Sequence, residues 1–420
     1  MNTASLRSFS VFSWSLGLAF VAFDRFYLFS LWGENVKIAY LFFFLAGVAC
    51  IWAEKIEFGA RVTLYRLHDV AVSSPWHFSL LYFLWVNLFA PFSNHALKSV
   101  LYATAGWFSL VVVAMSAQLI FCERRERGIS LMPARLKVAF FAYNVSLIVY
   151  ASTFLLSHLM HNWGIPSFAQ NTRDLAIFFV IGLPFLVWDF ANPKRQIVSR
   201  WLVAPAVMGM VAMLFIMRDW PFLLGAIAAP IGLMAIGVYK KIRLGRALSY
   251  LAILCLLGIN LVFIISKIPE LGGAREIIGA PRVLMEEKIS RRIPDIHSAI
   301  QSLRETNFMG TGVGAADIER GVWLQILAET GIAGLALHLA FFISLLLSLY
   351  SIRRAREVVV SNVAFLSVLI FLLILSHYPQ NPYGAGLWAW YALWGVFAST
   401  YRKREFRVVR LDDFKRSKRA

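Results

Sequence analysis

The sequence predicts an all-α polytopic integral membrane protein, with about twelve transmembrane helices and one large extracytoplasmic loop that contains an amphipathic helix. Three observations predict it. Hydrophobic residues make up 59% of the 420-residue chain and charged residues only 15%. With a mean hydropathy of +0.67, this is not a composition that a soluble globular surface carries. Apolar stretches of roughly 17 to 25 residues recur, each long enough to cross a hydrocarbon core of about 30 Å. Finally, Lys and Arg cluster between alternate stretches, the distribution that the positive-inside rule assigns to cytoplasmic loops.

The first stretch, 11–31, is too long, and too closely followed by a second at 37–54, for a cleaved signal peptide, so it is expected to stay as an anchor. Lys55, Arg61 and Arg66 follow. Spans at 77–94 and 100–121 carry the chain out and back to Arg124, Arg125, Arg127, Arg135 and Lys137. The pair 138–160 and 174–191 ends at Lys194, Arg195 and Arg200, and the pair 199–217 and 220–239 ends at Lys240, Lys241, Arg243 and Arg246. Spans 247–266 and 323–349 precede Arg353, Arg354 and Arg356, while 359–379 and 384–400 precede a basic tail over 401–420. Every basic cluster thus follows an even-numbered span, which places both termini in the cytoplasm. Residues 1–400 read as a single transmembrane domain without linker or internal repeat.

The only long polar segment between spans, 267–322, then falls on the opposite side of the membrane. It opens with Lys267-Ile-Pro-Glu270 and the breaker pair Gly272-Gly273, and continues through Arg282, Glu286, Glu287, Lys288, Arg291 and Arg292. Beyond Pro294, Ile293, Ile296, Ile300 and Leu303 recur at helical spacing, which predicts an amphipathic helix lying at the interface. Gly310-Thr-Gly-Val-Gly314 forms a flexible turn, and Gly321 leads into the next span.

A formal charge of +18 suggests nucleic acid in a soluble chain; here topology and contact with anionic membrane lipids account for it, and no nucleic acid is expected. Cys50, Cys122 and Cys255 lie in spans or at a cytoplasmic edge, so neither a disulfide framework nor zinc-like spacing is available. No His pair has a metal-ligand context and the outer face is poor in Asp and Glu, so neither a metal nor another cofactor is expected.

Arg218, in Met217-Arg-Asp-Trp-Pro221 on the loop side, is either a snorkelling anchor or an anion ligand. Its guanidinium grips phosphate oxygens through two parallel hydrogen bonds but does not serve as a base. Arg291 and Arg292 either converge on the same anion or are solvated loop charges, and Arg304 is a weaker candidate. The glycines lack the preceding strand and the Lys-Ser/Thr pair of a nucleotide loop. His377, in Ser376-His-Tyr-Pro-Gln-Asn-Pro382, is either a general base or a lone interfacial histidine. His338 reads as a neutral, packed residue within its span, and His158 and His161 as interfacial polar residues.

The segment from Arg292 to Leu335 resembles the core of the O-antigen ligase/polymerase family, membrane glycosyltransferases acting on undecaprenyl-diphosphate-linked glycans. The resemblance rests on Arg292-Ile-Pro-Asp-Ile-His-Ser-Ala-Ile300, on Phe308-Met-Gly-Thr-Gly-Val-Gly314 and on Trp323-Leu-Gln-Ile-Leu-Ala-Glu-Thr-Gly-Ile-Ala-Gly334. Upstream, Arg218 followed by Leu223-Leu-Gly-Ala-Ile-Ala-Ala229 is similar to the family's other arginine. The resemblance implies a bacterial inner-membrane enzyme with a periplasmic active face. Arg218 and Arg292 would grip the diphosphate, with Arg291 and Arg320 as secondary contacts.

Where ligases of the family place a His-Asn pair, this chain has Arg320 and Gly321. Because Arg does not accept a proton, the resemblance favours the polymerase branch, with ligation to lipid A-core as the enzymatic alternative and a lipid-linked-glycan flippase as the alternative of another class. His377, Glu319 or Asp317 then remain as bases, although the two acids sit beside Arg320 and either can simply pair with it. The implied partners are an undecaprenyl-diphosphate-linked glycan, an acceptor glycan or lipid A-core, membrane lipids and, for a polymerase, a chain-length regulator.

Overall fold

A computed structural model describes residues 2–21, 23, 27–31, 34–73, 75–93, 95–121, 125–126, 129–130, 132–159, 172–191, 200–217, 220–235, 296–306, 308–313, 321–353, 359–373, 383 and 385–399. The described chain is predominantly helical. In order it comprises α1 (Thr3–Phe20), a hairpin of β1 (Tyr27–Leu31) and β2 (Glu34–Lys37), α2 (Ile38–Phe58), α3 (Ala60–Val72) and α4 (Trp76–Phe89). Next come α5 (Ala96–Phe121), the short pair β3 (Arg125–Glu126) and β4 (Ile129–Ser130), α6 (Met132–Leu159), α7 (Thr172–Ala191), α8 (Arg200–Met217) and α9 (Trp220–Ala235). The remainder is α10 (296–305), α11 (Val322–Arg353), α12 (Val359–Leu373) and α13 (Ala385–Ser399).

Four of these helices, over Ile38–Phe58, Ala96–Phe121, Ala134–Ser157 and Val322–Ser351, are long and apolar enough to cross a membrane, and shorter apolar helices accompany them. Large apolar side chains such as Phe44, Trp52, Leu88 and Leu347 stand exposed along the bundle, a surface that a bilayer covers and water does not. The molecule is a helical, membrane-embedded protein. The expected span at 247–266, most of the loop at 267–322 and the tail at 401–420 lie outside the described residues.

Two differences from the sequence expectation are physical. The span expected over 11–31 is a helix over Thr3–Phe20, and residues 27–31 are a strand instead. Asp24 and Arg25 end the apolar run, and Tyr27-Leu-Phe-Ser-Leu31 is a β-favouring segment that pairs antiparallel with Glu34–Lys37. Between the expected second and third spans stands an unexpected helix, α3, which follows a corner at Gly59 (φ 79°).

The centre of the bundle is α13. Every residue from Leu387 to Ala398 is buried, as a helix apolar on all faces must be. It packs against the middle of α5 and against α7, α11 and α12. Trp390 meets Tyr143 and Phe185, and Tyr391 meets Phe342, Phe371 and Trp394. Since lipid tails are as apolar as these rings, close packing and interhelical hydrogen bonds hold such a bundle together. Gln118 Nε2 donates to the Ala392 carbonyl (3.0 Å), Trp394 Nε1 to Ser367 Oγ (3.0 Å) and Ser367 Oγ to the Ile181 carbonyl (2.6 Å).

At one end of the bundle, Glu54 accepts from Arg7 of α1 (3.2 Å) and from Arg66 of α3 (2.5 Å), while Arg7 also pairs with Glu57. The Glu54 side chain is only 7% exposed, so neutralising it takes the carboxylate from Arg66 and leaves Arg7 with Glu57 alone. Glu54→Gln is expected to lower stability by about 2 kcal/mol, seen as a lower midpoint of thermal unfolding in detergent.

Candidate functional site

The opposite end of the bundle gathers the last turn of α4, the start of α5, residues 308–313, the start of α11 and Tyr383 ahead of α13. Its centre is a break in α11. Gly331 has φ 71° and ψ −169°, outside helical geometry, so the helix stops at Thr330 and resumes at Ile332. The break frees carbonyls that a continuous helix engages, and such groups need other partners inside an apolar bundle.

Residues 308–313 supply most of those partners. Thr311 N–H donates to the Ala328 carbonyl (2.8 Å) and Gly312 N–H to the Glu329 carbonyl (2.9 Å), while the Phe308 carbonyl accepts from Ile332 N–H (3.3 Å). The remaining Thr330 carbonyl accepts from Trp85 Nε1 of α4 (2.9 Å). Two backbones approach this closely only where side chains are absent. A Cβ at Gly310 would sit on the Glu329 carbonyl, and one at Gly331 on the Phe308 carbonyl. Both glycines also have positive φ. Ser93 Oγ, donating to the Thr311 carbonyl (2.8 Å), ties the turn to the loop after α4.

Beneath the turn lies a buried polar chain. Tyr383 O–H donates to Glu329 Oε2 (2.7 Å), Tyr82 O–H to the Tyr383 hydroxyl (3.3 Å) and Gln325 Nε2 to Glu329 Oε1 (3.2 Å). Ser109 Oγ, at the start of a π-helical stretch Ser109–Met115 of α5, donates to the Tyr383 carbonyl (2.9 Å). Burial first, and then the Glu329 carboxylate, raise the Tyr383 phenol well above its ordinary value of 10.0, so it remains a donor at neutral pH. A cavity of about 10 Å³ borders the chain, lined by Trp85, Phe89, Gly312, Val313, Glu329 and Thr330. That is room for about one water-sized group. The arrangement fixes both carboxylate oxygens of Glu329 and clamps the glycine turn over the break.

Of the residues singled out from sequence, Arg218, Arg291, Arg292, Asp317, Glu319, Arg320 and His377 lie outside the described residues. Arg304 stands on the exposed side of α10. In α10, Ala299 and Leu303 are buried while Ile296 and Ile300 are exposed, leaving an apolar flank as an interfacial helix does. His338 is buried among Tyr82, Trp323, Phe342 and Tyr391, as its packed reading expects. Its Nε2 has no hydrogen-bond partner among the described residues. Those residues also contain no His, Cys, Asp or Glu group suited to a metal.

Glu329, Tyr383, Tyr82 and Gln325 were not picked out from sequence. An acidic residue within an otherwise apolar span was the available signal for Glu329, since such residues in membranes mark functional sites. Nothing local marks Tyr383, which reaches Glu329 across 54 residues of sequence.

The fold and this end of the bundle define a helical membrane protein with a broken span capped by a glycine turn. Comparison with protein-family models and with curated proteins finds no match.

Gly331→Ala is expected to cost about 1–3 kcal/mol through backbone strain, read as a lowered unfolding midpoint by tryptophan fluorescence. Tyr383→Phe leaves Glu329 Oε2 without its phenol donor. It is expected to cost about 1–3 kcal/mol and to speed amide hydrogen exchange over residues 308–313.

Proposed function

We propose that this protein is a membrane glycosyltransferase of about twelve spans. It moves a glycan from undecaprenyl diphosphate to the hydroxyl of an acceptor sugar at the periplasmic face of a bacterial inner membrane, as a surface-polysaccharide polymerase. One observation carries the reading. Two separate segments that resemble the O-antigen ligase/polymerase family, Phe308–Gly314 and Trp323–Gly334, meet each other through their described residues: the turn hydrogen-bonds to the break in α11. Sidedness has support too. The turn, Ser93 and Tyr383 share one end of the bundle. The other end joins α1 to α2 and α3 through Arg7, Glu54 and Arg66, and Arg135 at the start of α6 donates to the Ile120 carbonyl at the end of α5. These are the ends that the basic clusters assign to opposite sides.

In the proposed reaction the acceptor oxygen bonds to the anomeric carbon as the bond from that carbon to the phosphate oxygen breaks. The electron pair leaves with the lipid diphosphate. Arg218 and Arg292 stabilise that growing charge, helped by Arg291 and Arg320, and no metal is required for this role. The acceptor proton passes to a base, for which His377, Glu319 and Asp317 are the candidates. Because the lipid diphosphate already stores the energy of transfer, no nucleotide sugar takes part.

The test is a glycolipid gel of a host lacking this gene, complemented with wild type, Arg218→Lys or Arg292→Ala. Each variant is expected to lower transfer by at least about 100-fold. A single repeat left on the lipid acceptor supports polymerisation. Polymer retained on undecaprenyl diphosphate shifts the assignment to ligation onto lipid A-core. Full transfer in both arginine variants overturns the catalytic reading and leaves transport of the lipid-linked glycan.

A further inference from the structure

Helix α3 joins two apolar helices without spanning anything itself. It follows α2 after the single residue Gly59, and the N-cap of α4 is Pro75. Thirteen residues of helix extend only about 20 Å, too short for a hydrocarbon core of about 30 Å. Its depth is set by charge. Arg66, midway along α3, donates to Glu54 one turn before the end of α2, and its guanidinium lies 4.2 Å from the centre of the Phe58 ring. Glu54 in turn binds Arg7, which also pairs with Glu57. Such a cluster belongs at the level of the headgroups, so the middle of α3 runs there too.

One side of α3 is taken by the protein, since Thr63 and Val70 are buried. The other side is uncovered and mixes large apolar residues with polar ones: Leu64 is 66% exposed, Tyr65 53% and Val72 56%, with His68 and Asp69 exposed between them. Trp52 and Ile56 extend this surface onto the last turns of α2, at 60% and 53% exposure. Lys55 and Arg61, on either side of the Gly59 corner, are exposed and form no ion pair among the described residues, in contrast to Arg7 and Arg66. Aromatic and aliphatic side chains interleaved with unpaired cations match a layer of anionic headgroups over acyl chains.

We propose that α3 and the last turns of α2 form a docking surface for an anionic phospholipid leaflet, with Lys55 and Arg61 contacting lipid phosphates while Leu64, Tyr65 and Val72 enter the acyl boundary. The surface is independent of the glycine-turn end of the bundle, so it stands or falls apart from the proposed reaction.

The test places a spin label at position 64 or 72 (Leu64→Cys, Val72→Cys) of the full chain, in a background of Cys50→Ala, Cys122→Ser and Cys255→Ser. The protein is reconstituted in nanodiscs of phosphatidylglycerol and phosphatidylcholine. Labels accessible to oxygen and shielded from a water-soluble nickel chelate are expected. Labels open to the chelate put α3 in water, and labels shielded from both reagents put it under protein; either result overturns the proposal. The lipid preference is read from motionally restricted spin-labelled lipid around the protein. Lys55→Gln or Arg61→Gln should each reduce the preference for phosphatidylglycerol over phosphatidylcholine by up to about fivefold. An unchanged preference in the double variant, with circular dichroism and gel-filtration profile intact, overturns the anionic assignment.

Discussion

A helix that breaks inside an apolar bundle leaves carbonyl and amide groups with no water to receive them. In this protein the break at Gly331 is tolerated because a second backbone lies against it. Thr311 and Gly312 donate to carbonyls that the break releases, and Phe308 accepts from the residue that resumes the helix. The rest of this end of the bundle follows from that requirement. Glycine is needed at 310 and 331 because each would otherwise collide with the other strand's backbone. Trp85 turns its indole N–H toward the carbonyl that the turn does not reach. Ser93 holds the turn from outside and Tyr383 holds the Glu329 side chain from below.

The two ends of the bundle solve their electrostatic problems differently. Arg7, Arg66 and Glu54 neutralise one another directly, so charge is retained but paired. At the glycine-turn end Glu329 meets neutral donors, Tyr383 and Gln325, and the chain continues to Tyr82. Hydrogen bonds of this kind orient a carboxylate without adding a second charge to desolvate.

Much of the fold was legible in hydropathy. The stretches expected at 37–54, 100–121, 138–160, 174–191, 199–217 and 384–400 correspond to helices with ends within a few residues, because an apolar run must satisfy its own backbone and a helix does so locally. The helix after Pro294 was legible from the spacing of Ile296, Ile300 and Leu303, although Ala299, a residue that the pattern did not use, shares the buried side with Leu303. Less was legible where the composition is mixed. The helix α3 carries Arg61, Arg66, His68 and Asp69 among its apolar residues and reads as a loop, and the strand at 27–31 looked like the end of a span.

The sequence alone determined the class of the molecule, the approximate places where its helices begin and end, and the alternation of basic loops, since those depend on local composition and on the cost of moving charge through hydrocarbon. It also contained the glycine turn and the segment around Glu329 as separate stretches. Only the tertiary structure decided that these stretches touch, that α11 breaks between Thr330 and Ile332, and that Tyr82 bonds to Tyr383, 301 residues away, which in turn holds the Glu329 carboxylate. Those contacts depend on which helix faces pack together. That choice is made by shape and by the pairing of buried polar atoms across the bundle, which no local pattern records.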